Sequence, residues 1–303
     1  MSRPSERAAV ILSFDVEEHD RIEAAVGVEC PPELKATYAT RMEAATRGLL
    51  AQLAAAGTPA TFFVVGQIAE SHPQLVRAIA DAGHEVGSHG WDHKRVHRFT
   101  PETFREDVRR SKAALEQATG RPVVGYRAPT FSVVRQTAWA IDVLAAAGLR
   151  YDSSIYPVRH DRYGVPDAPR TPFVAVGRDA RILELPPATY RVMGQNLPVG
   201  GGGYFRLFPP AVMRAGIRQL GRAAPAVGML YFHPWEFDPG QPRLPLSRLS
   251  RWRTYVGVGK STARLDRLLA NYAGRFRRAI DVVADLEPKA AGLPQFQVDP
   301  PSQ

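Results

Sequence analysis

Two histidines four residues apart, His89 and His93, are the residues of this chain best suited to binding a metal ion. They follow the run His84-Glu-Val-Gly-Ser88, whose small and apolar residues are typical of the end of a strand. Two side chains at this spacing, on a turn or on the first turn of a helix, point the same way. Because neutral imidazole is the commonest protein ligand for zinc and related ions, the pair predicts a metal site. Such a pair is structural about as often, so the prediction needs a carboxylate as well.

Carboxylates of the required kind stand near the N-terminus, in Asp15-Val16-Glu17-Glu18. Two histidines and one carboxylate leave positions open on a divalent cation, as catalytic sites do, and water bound there drops from a pKa of about 15.7 to about 7. A second carboxylate could take the proton of that water. His233, alone after the apolar run 227–232, could protonate a leaving group, although a lone histidine is more often a structural hydrogen-bonding residue.

Strand and helix patterns alternate at least four times in the first half of the chain, which predicts a parallel sheet or barrel. In such folds the chemistry collects at the carboxyl ends of the strands. Asp15, His89, Arg127 and Asp152 all follow predicted strands, and this coincidence is the strongest argument from the residues alone. Residues 41–56, in the first half, and residues 261–283, near the C-terminus, have the apolar spacing of helices.

Arg127 and Asp152, which follow successive predicted strands, are open to two interpretations. The pair could hold the proton-accepting carboxylate and tune its pKa. It could equally be a buried ion pair with no catalytic task, and the spacing does not decide between them.

The run Gly200-Gly-Gly-Gly203 also permits two interpretations. A phosphate cradle would need a strand before it and a GK-type helix after it, and neither is present. A flexible loop that lines a cleft is the preferred prediction.

Charge and composition limit the partners of the protein. Among 303 residues, 39 Lys and Arg stand against 30 Asp and Glu, a net charge of +9 that favours anionic partners. No nucleic-acid motif accompanies the charge, so we expect no nucleic acid. Arginines concentrate after residue 240, either as a solvated helix face or as a surface for anionic glycan or a membrane. One cysteine, no secretion signal and no membrane-spanning run predict a cytoplasmic protein, with peripheral contact at the inner membrane face as the variant.

Five motifs in order give the chain a resemblance to a known family. They are Ser13-Phe-Asp-Val-Glu17, Ser88-His89 with His93, Arg127-Ala-Pro129, Tyr151-Asp-Ser-Ser154 and Tyr231-Phe-His233. The chain resembles the polysaccharide deacetylases of carbohydrate esterase family 4 from about residue 10 to residue 234. Pro198-Val-Gly-Gly-Gly-Gly-Tyr-Phe205 and His233-Pro-Trp-Glu236 are similar to the subfamily found at bacterial exosortase and exopolysaccharide loci.

The resemblance implies a fold and a division of the chain. The expected fold is α/β, a distorted (β/α)7 barrel over residues 5–240. A basic, helical C-terminal extension over residues 241–303 is expected to pack on the barrel.

The resemblance also implies roles for individual residues. Carried over position by position, these are Asp15 as general base, His233 as general acid, Arg127 and Asp152 as positioning residues, and Glu17, His89 and His93 as metal ligands. A strand alternates its faces, so Glu17 lies on the side of Asp15, which favours it over Glu18. The backbone N–H of Thr130 is expected to bind the oxyanion. Tyr204 and Trp235 are expected to stack on sugar rings, the alternative being that they only form the wall of the cleft.

These roles predict hydrolysis of N-acetyl groups on amino sugars of a bacterial polysaccharide or of its lipid-linked precursor. The expected cofactor is a divalent metal, with Zn²⁺ as the default. Two other functions remain open: hydrolysis of small cyclic imides or ureides on the same fold, and non-catalytic binding of glycan. The sequence sets neither the sugar nor the oligomeric state.

Overall fold

The computed structural model describes residues 8–299, in which strands and helices alternate through the first half of the chain. The strands are β1 Ala9–Val16, β2 Thr61–Val64, β3 Glu85–Ser88, β4 Gly125–Tyr126, β5 Tyr151–Asp152, β6 Phe173–Val176, β7 Arg181–Glu184, β8 Thr189–Val192, β9 Gln195–Pro198, β10 Val227–Phe232, β11 Phe276–Arg277 and β12 Gln295–Gln297. The helices are α1 Pro32–Ala55, α2 Gly66–Ser71, α3 Pro73–Asp81, α4 Pro101–Thr119, α5 Ala140–Ala146, α6 Gly202–Leu207, α7 Pro210–Leu220, α8 Arg248–Tyr255, α9 Ser261–Asn271 and α10 Ala279–Leu286.

Seven parallel strands form the centre of the molecule, in the spatial order β10, β1, β2, β3, β4, β5 and β7. Two isolated parallel bridges, Pro187 with Met229 and Gly201 with Tyr231, join the chain after β7 to β10. The sheet therefore curls round into a distorted barrel, and the predicted α/β fold is confirmed. At its outer side β6 pairs antiparallel with β7, and β12 extends β6.

Two strands at the centre of the molecule, β1 and β10, are almost entirely buried. All but the first residue of β1 are buried, and every residue of β10 is buried. Strands covered on both faces are mostly apolar, as central strands of parallel sheets are, and in β1 only Ser13 and Asp15 depart from this. Helix α1 begins at Pro32, earlier than the predicted residue 41, because a proline at the first helical position needs no hydrogen-bond acceptor.

The glycine run lines a cleft, as predicted, but not as a flexible loop: Gly202 and Gly203 line the cleft at the carboxyl ends of the strands and begin helix α6. Gly201 has φ of 153° and its backbone bridges β10, and a Cβ there would lie 1.6 Å from the carbonyl oxygen of Tyr231. Only glycine permits this approach. The run therefore anchors the start of α6 to the barrel.

The C-terminal segment differs in part from the prediction. Residues 261–283, predicted as one helix, contain α9, then β11, then α10. Gly274, with φ of 72°, lies between α9 and β11, which pairs with β1. The ends of the two predicted domains, residues 5–7 and 300–303, lie outside the described residues. Within residues 8–299, no helix combines the length and apolarity that crossing a bilayer requires.

Candidate active site

The carboxyl ends of four strands of the barrel deliver polar side chains to one cleft. Asp15 and Glu17 come from the end of β1, and His89 follows β3. Arg127 follows β4, and His233 follows β10. The cleft has a volume of about 250 Å³, and its walls include Asp15, Glu17, His89, His93, Thr130, Tyr204, His233 and Trp235.

Glu17, His89 and His93 form a group suited to holding a cation. One ligand atom of each lies within 4.8 Å of the others. His93 Nε2 lies 2.6 Å from Glu17 Oε2, yet this buried oxygen has no hydrogen-bond partner in the described chain. A buried polar atom without a partner is costly, and a shared cation would satisfy it. The donor set, two imidazoles and a carboxylate, fits a divalent metal with open positions.

Neighbouring groups fix how these ligands present their atoms. His89 Nδ1 lies 2.8 Å from the carbonyl oxygen of Arg127 and donates to it, which leaves Nε2 free to coordinate. Burial lowers the pKa of His89 to about 4, so its imidazole is neutral. His93 has φ of 62°, a conformation that residues other than glycine rarely adopt and that functional sites retain. Glu18 is ion-paired with Arg21 and lies outside the group.

Charge within the site also favours an ionised Glu17. Burial raises the pKa of its carboxyl, but its close interaction with His93 and the charge of His233 outweigh burial and lower that pKa to about 2. The oxygens of Glu17 are therefore available as acceptors or ligands at neutral pH.

Asp15 is held from behind by a buried arginine. Arg127 Nη1 donates to Asp15 Oδ1 at 2.6 Å and to Ser13 Oγ at 2.8 Å. Its Nη2 donates to Ser153 Oγ at 2.9 Å, and the side chain of Arg127 is fully buried. Asp15 Oδ2 remains on the side of His233, 4.0 Å from its Nε2.

His233 belongs to a chain of three charged side chains. Its Nδ1 donates to Glu236 Oε1 at 2.8 Å, and Arg206 Nε donates to Glu236 Oε2 at 2.7 Å. Burial lowers the pKa of His233, but the hydrogen bond to Glu236 and the charge of Glu17 raise it overall to about 9. His233 therefore carries a proton at neutral pH, with Nε2 directed toward Asp15 and Glu17.

Comparison with protein families identifies the first half of the chain. Residues 6–151, which carry Asp15, Glu17, both metal-site histidines and Arg127, match the model of the family described as "Polysaccharide deacetylase". The N-terminal half of the chain belongs to the polysaccharide deacetylase family. Residues 153–284, which carry His233, match a family described only as a domain of unknown function, DUF3473.

Curated relatives match part of the chain, and a solved structure shares its fold. A peptidoglycan deacetylase of Helicobacter pylori is 32% identical over 32% of this chain and 32% of its own length. A chitooligosaccharide deacetylase of Rhizobium leguminosarum is 33% identical over 35% of this chain and 47% of its own length. The chain thus spans a third to a half of these relatives. A putative polysaccharide deacetylase of Mycobacterium smegmatis shares the fold, with a TM-score of 0.64, 22% identity and coverage of 100% and 98%.

Asp152 does not form the predicted pair with Arg127. Within residues 8–299 no hydrogen bond or ion pair joins them, although the guanidinium charge acts on this carboxyl. Asp152 accepts from the backbone N–H of Ser153 and from Ser154 Oγ, and it faces Glu184. Burial raises the pKa of Asp152 to about 6 and that of Glu184 well above its usual range. Burial therefore disfavours a negative charge on either of these two carboxyls.

The three residues predicted to bind substrate all line the cleft. Thr130 has φ of 56°, which fixes the direction of its backbone N–H. Tyr204 is partly exposed at the cleft. Trp235 is only 8% exposed, and its indole N–H reaches Glu17 Oε1 at 3.4 Å. Its face packs on His233, so its placement favours a cleft wall over a sugar platform.

Sequence reasoning missed Glu236 and Arg206 as functional residues. Glu236 stands three residues after His233, and this spacing on a turn was the available signal. Arg206 offered no signal, because its partner lies 30 residues away and only α6 brings them together.

The buried pair of Arg127 and Asp15 leads to a prediction about stability. Arg127→Met should lower the free energy of unfolding by about 3–5 kcal/mol, because it leaves the Asp15 carboxylate buried without its partner. Urea denaturation followed by circular dichroism measures this. Arg109→Met is the matched control: the pair of Arg109 with Glu106 is exposed, so its loss should leave the denaturation midpoint nearly unchanged. Equal effects of the two substitutions would contradict the assignment.

Proposed function

We propose that the protein is a metal-dependent hydrolase that removes N-acetyl groups from amino sugars of a bacterial polysaccharide or of its lipid-linked precursor. One observation carries the proposal: Glu17, His89 and His93, which could hold a metal ion, meet in the same cleft as a carboxylate held by Arg127 and a protonated histidine held by Glu236. The relatives, named for deacetylation of peptidoglycan and of chitooligosaccharides, support this class of substrate.

Glu17, His89 and His93 would hold the metal, since their free atoms converge in the cleft. A divalent metal bound there polarises a carbonyl oxygen and lowers the pKa of water to about 7. Zn²⁺ is the metal we propose, because it accepts imidazole and carboxylate ligands with open positions.

Asp15 acts as the proton acceptor in this reaction. Its Oδ1 is occupied by Arg127, so the proton of the attacking water passes to Oδ2, the oxygen that faces the cleft. Arg127 holds the carboxylate in one rotamer, which keeps the acceptor aligned with the substrate.

His233 acts as the proton donor on the other side of the scissile bond. Its Nε2 gives its proton to the departing amine, and Glu236 stabilises the imidazolium through Nδ1. The backbone N–H of Thr130 is assigned to the carbonyl oxygen as negative charge develops on it, and one such donor is worth about 3–4 kcal/mol. The products are acetate and a free amino sugar.

Removal of the metal tests this proposal. Treatment with a chelator should abolish release of acetate from oligomers of N-acetylglucosamine, and Zn²⁺ should restore it. His89→Ala should bind less metal by elemental analysis and should stay inactive when Zn²⁺ is added. Wild-type protein that releases acetate equally well without any divalent ion would refute the mechanism.

The same preparation distinguishes the two other functions. Ring-opening of a small cyclic ureide with no acetate from glycans would favour the cyclic amidohydrolase. Binding of N-acetylated oligomers by metal-free protein, without turnover when metal is added, would favour a glycan-binding module.

A further inference from the structure

The short helix α8, at the rim of the cleft, exposes two large apolar side chains. Leu249 is 58% exposed and Trp252 is 55% exposed. They lie three residues apart, so both project from one side of the helix. A tryptophan exposed to this extent is unusual, because its large apolar ring is normally mostly covered.

Arginines surround these two side chains and have no acidic neighbours in sequence. Arg248 and Arg251 are exposed on α8, and within residues 8–299 neither has an ion pair. From residue 239 to residue 265 the sequence contains no Asp or Glu. Its basic residues are Arg243, Arg248, Arg251, Arg253, Lys260 and Arg264. The surface is therefore both apolar and strongly cationic.

The other side of the same helix faces the cleft. Ser250, Arg253 and Thr254 line it. Arg206, which holds Glu236, donates to the carbonyl oxygen of Thr254 at 2.6 Å. Whatever binds the outer side of α8 therefore lies next to the entrance of the active site.

We propose that Leu249, Trp252, Arg248 and Arg251 form a docking surface for an anionic lipid bilayer. A short helix with Trp and Leu on one side and arginines beside them sits at the level of the lipid head groups. There the apolar rings enter the boundary of the acyl chains and the guanidinium groups meet phosphates. Docking would hold the mouth of the cleft at the membrane surface. The inference does not depend on the proposed activity, since binding is measured without substrate.

Flotation with vesicles tests the surface directly. The wild-type chain should float with vesicles of phosphatidylglycerol and phosphatidylcholine, and should not float with phosphatidylcholine alone. The double variant Arg248→Gln, Arg251→Gln should lose about thirtyfold in affinity, since each basic residue contributes a factor of about five at an anionic surface. Leu249→Ser with Trp252→Ser should also lose binding. The matched control is Arg77→Gln with Arg105→Gln on α3 and α4, which removes the same charge and should bind as wild type does.

Fluorescence separates insertion into lipid from simple charge attraction. Emission from Trp252 should shift to the blue when anionic vesicles are added, and Trp252→Phe should keep the binding but lose the shift. Binding without a blue shift would assign the surface to another anionic partner, such as an acidic protein, and would overturn the proposal. The proposal would also be overturned if the α8 variants bind as the wild type does, or if the wild-type protein does not bind anionic vesicles at low salt. Unchanged thermal melting of the variants shows that they are folded.

Discussion

Asp15→Asn is expected to lower kcat for release of acetate by a factor of about 10²–10⁴, the usual contribution of a general base. The amide has nearly the shape of the carboxylate and can still meet Arg127, but it cannot accept a proton as a carboxylate does. The metal ligands are unchanged, so the variant should bind Zn²⁺ with nearly wild-type affinity. KM should change little, because the interaction lost belongs to the transition state.

Glu18→Gln is the control for this substitution. Glu18 lies three residues from Asp15 and is mostly buried, but its carboxylate is paired with Arg21 away from the metal group. The Glu18→Gln variant should retain activity within a few-fold of wild type, as measured by steady-state kinetics. If Glu18→Gln is as damaging as Asp15→Asn, or if the latter fails to bind metal, then Asp15 is not the base.

The strand ends that carry the candidate catalytic residues could be predicted from the sequence, because each is marked by a pattern of neighbouring residues. A buried apolar run followed at once by polar residues places Asp15 and Glu17 at the carboxyl end of β1, and the same pattern places His233 after β10. Parallel strands bring such ends to one edge, so convergence followed from the fold class alone. The alternation of faces along a strand is also a local property, and it predicted that Glu17, and not Glu18, lies on the same side as Asp15.

Contacts between distant segments could not be predicted in this way. The spacing of Arg127 and Asp152 did not determine whether the two side chains meet. In the structure, the register of β4 and β5 places Ser153 against Arg127 instead. Glu184 belongs to a strand that pairs with β5 only after a long connection, so its proximity to Asp152 is a property of the sheet order. The packing of α6 on α8 through Arg206 depends likewise on tertiary structure.

The second large effect concerns the proton donor. His233→Ala should lower kcat for N-acetylated oligomers by about 10²–10⁴, because an amine cannot leave without a proton. An aryl acetate with a good leaving group needs no such proton, so its hydrolysis should fall by less than about tenfold. This ratio between two substrates isolates acid catalysis from any general damage to the site.

Glu236→Gln should show the same selectivity at a smaller scale. Losing a residue that orients a catalytic side chain typically costs about 10–100-fold, and here the loss should fall on the amide substrate. Glu236→Asp, which keeps the charge, should retain part of the activity on the amide substrate that Glu236→Gln loses. Since Arg206 also loses its ion-pair partner in Glu236→Gln, a purely structural role would reduce both substrates equally and lower thermal stability in parallel. Equal losses on amide and ester would therefore remove His233 and Glu236 from the role of proton donor and its support.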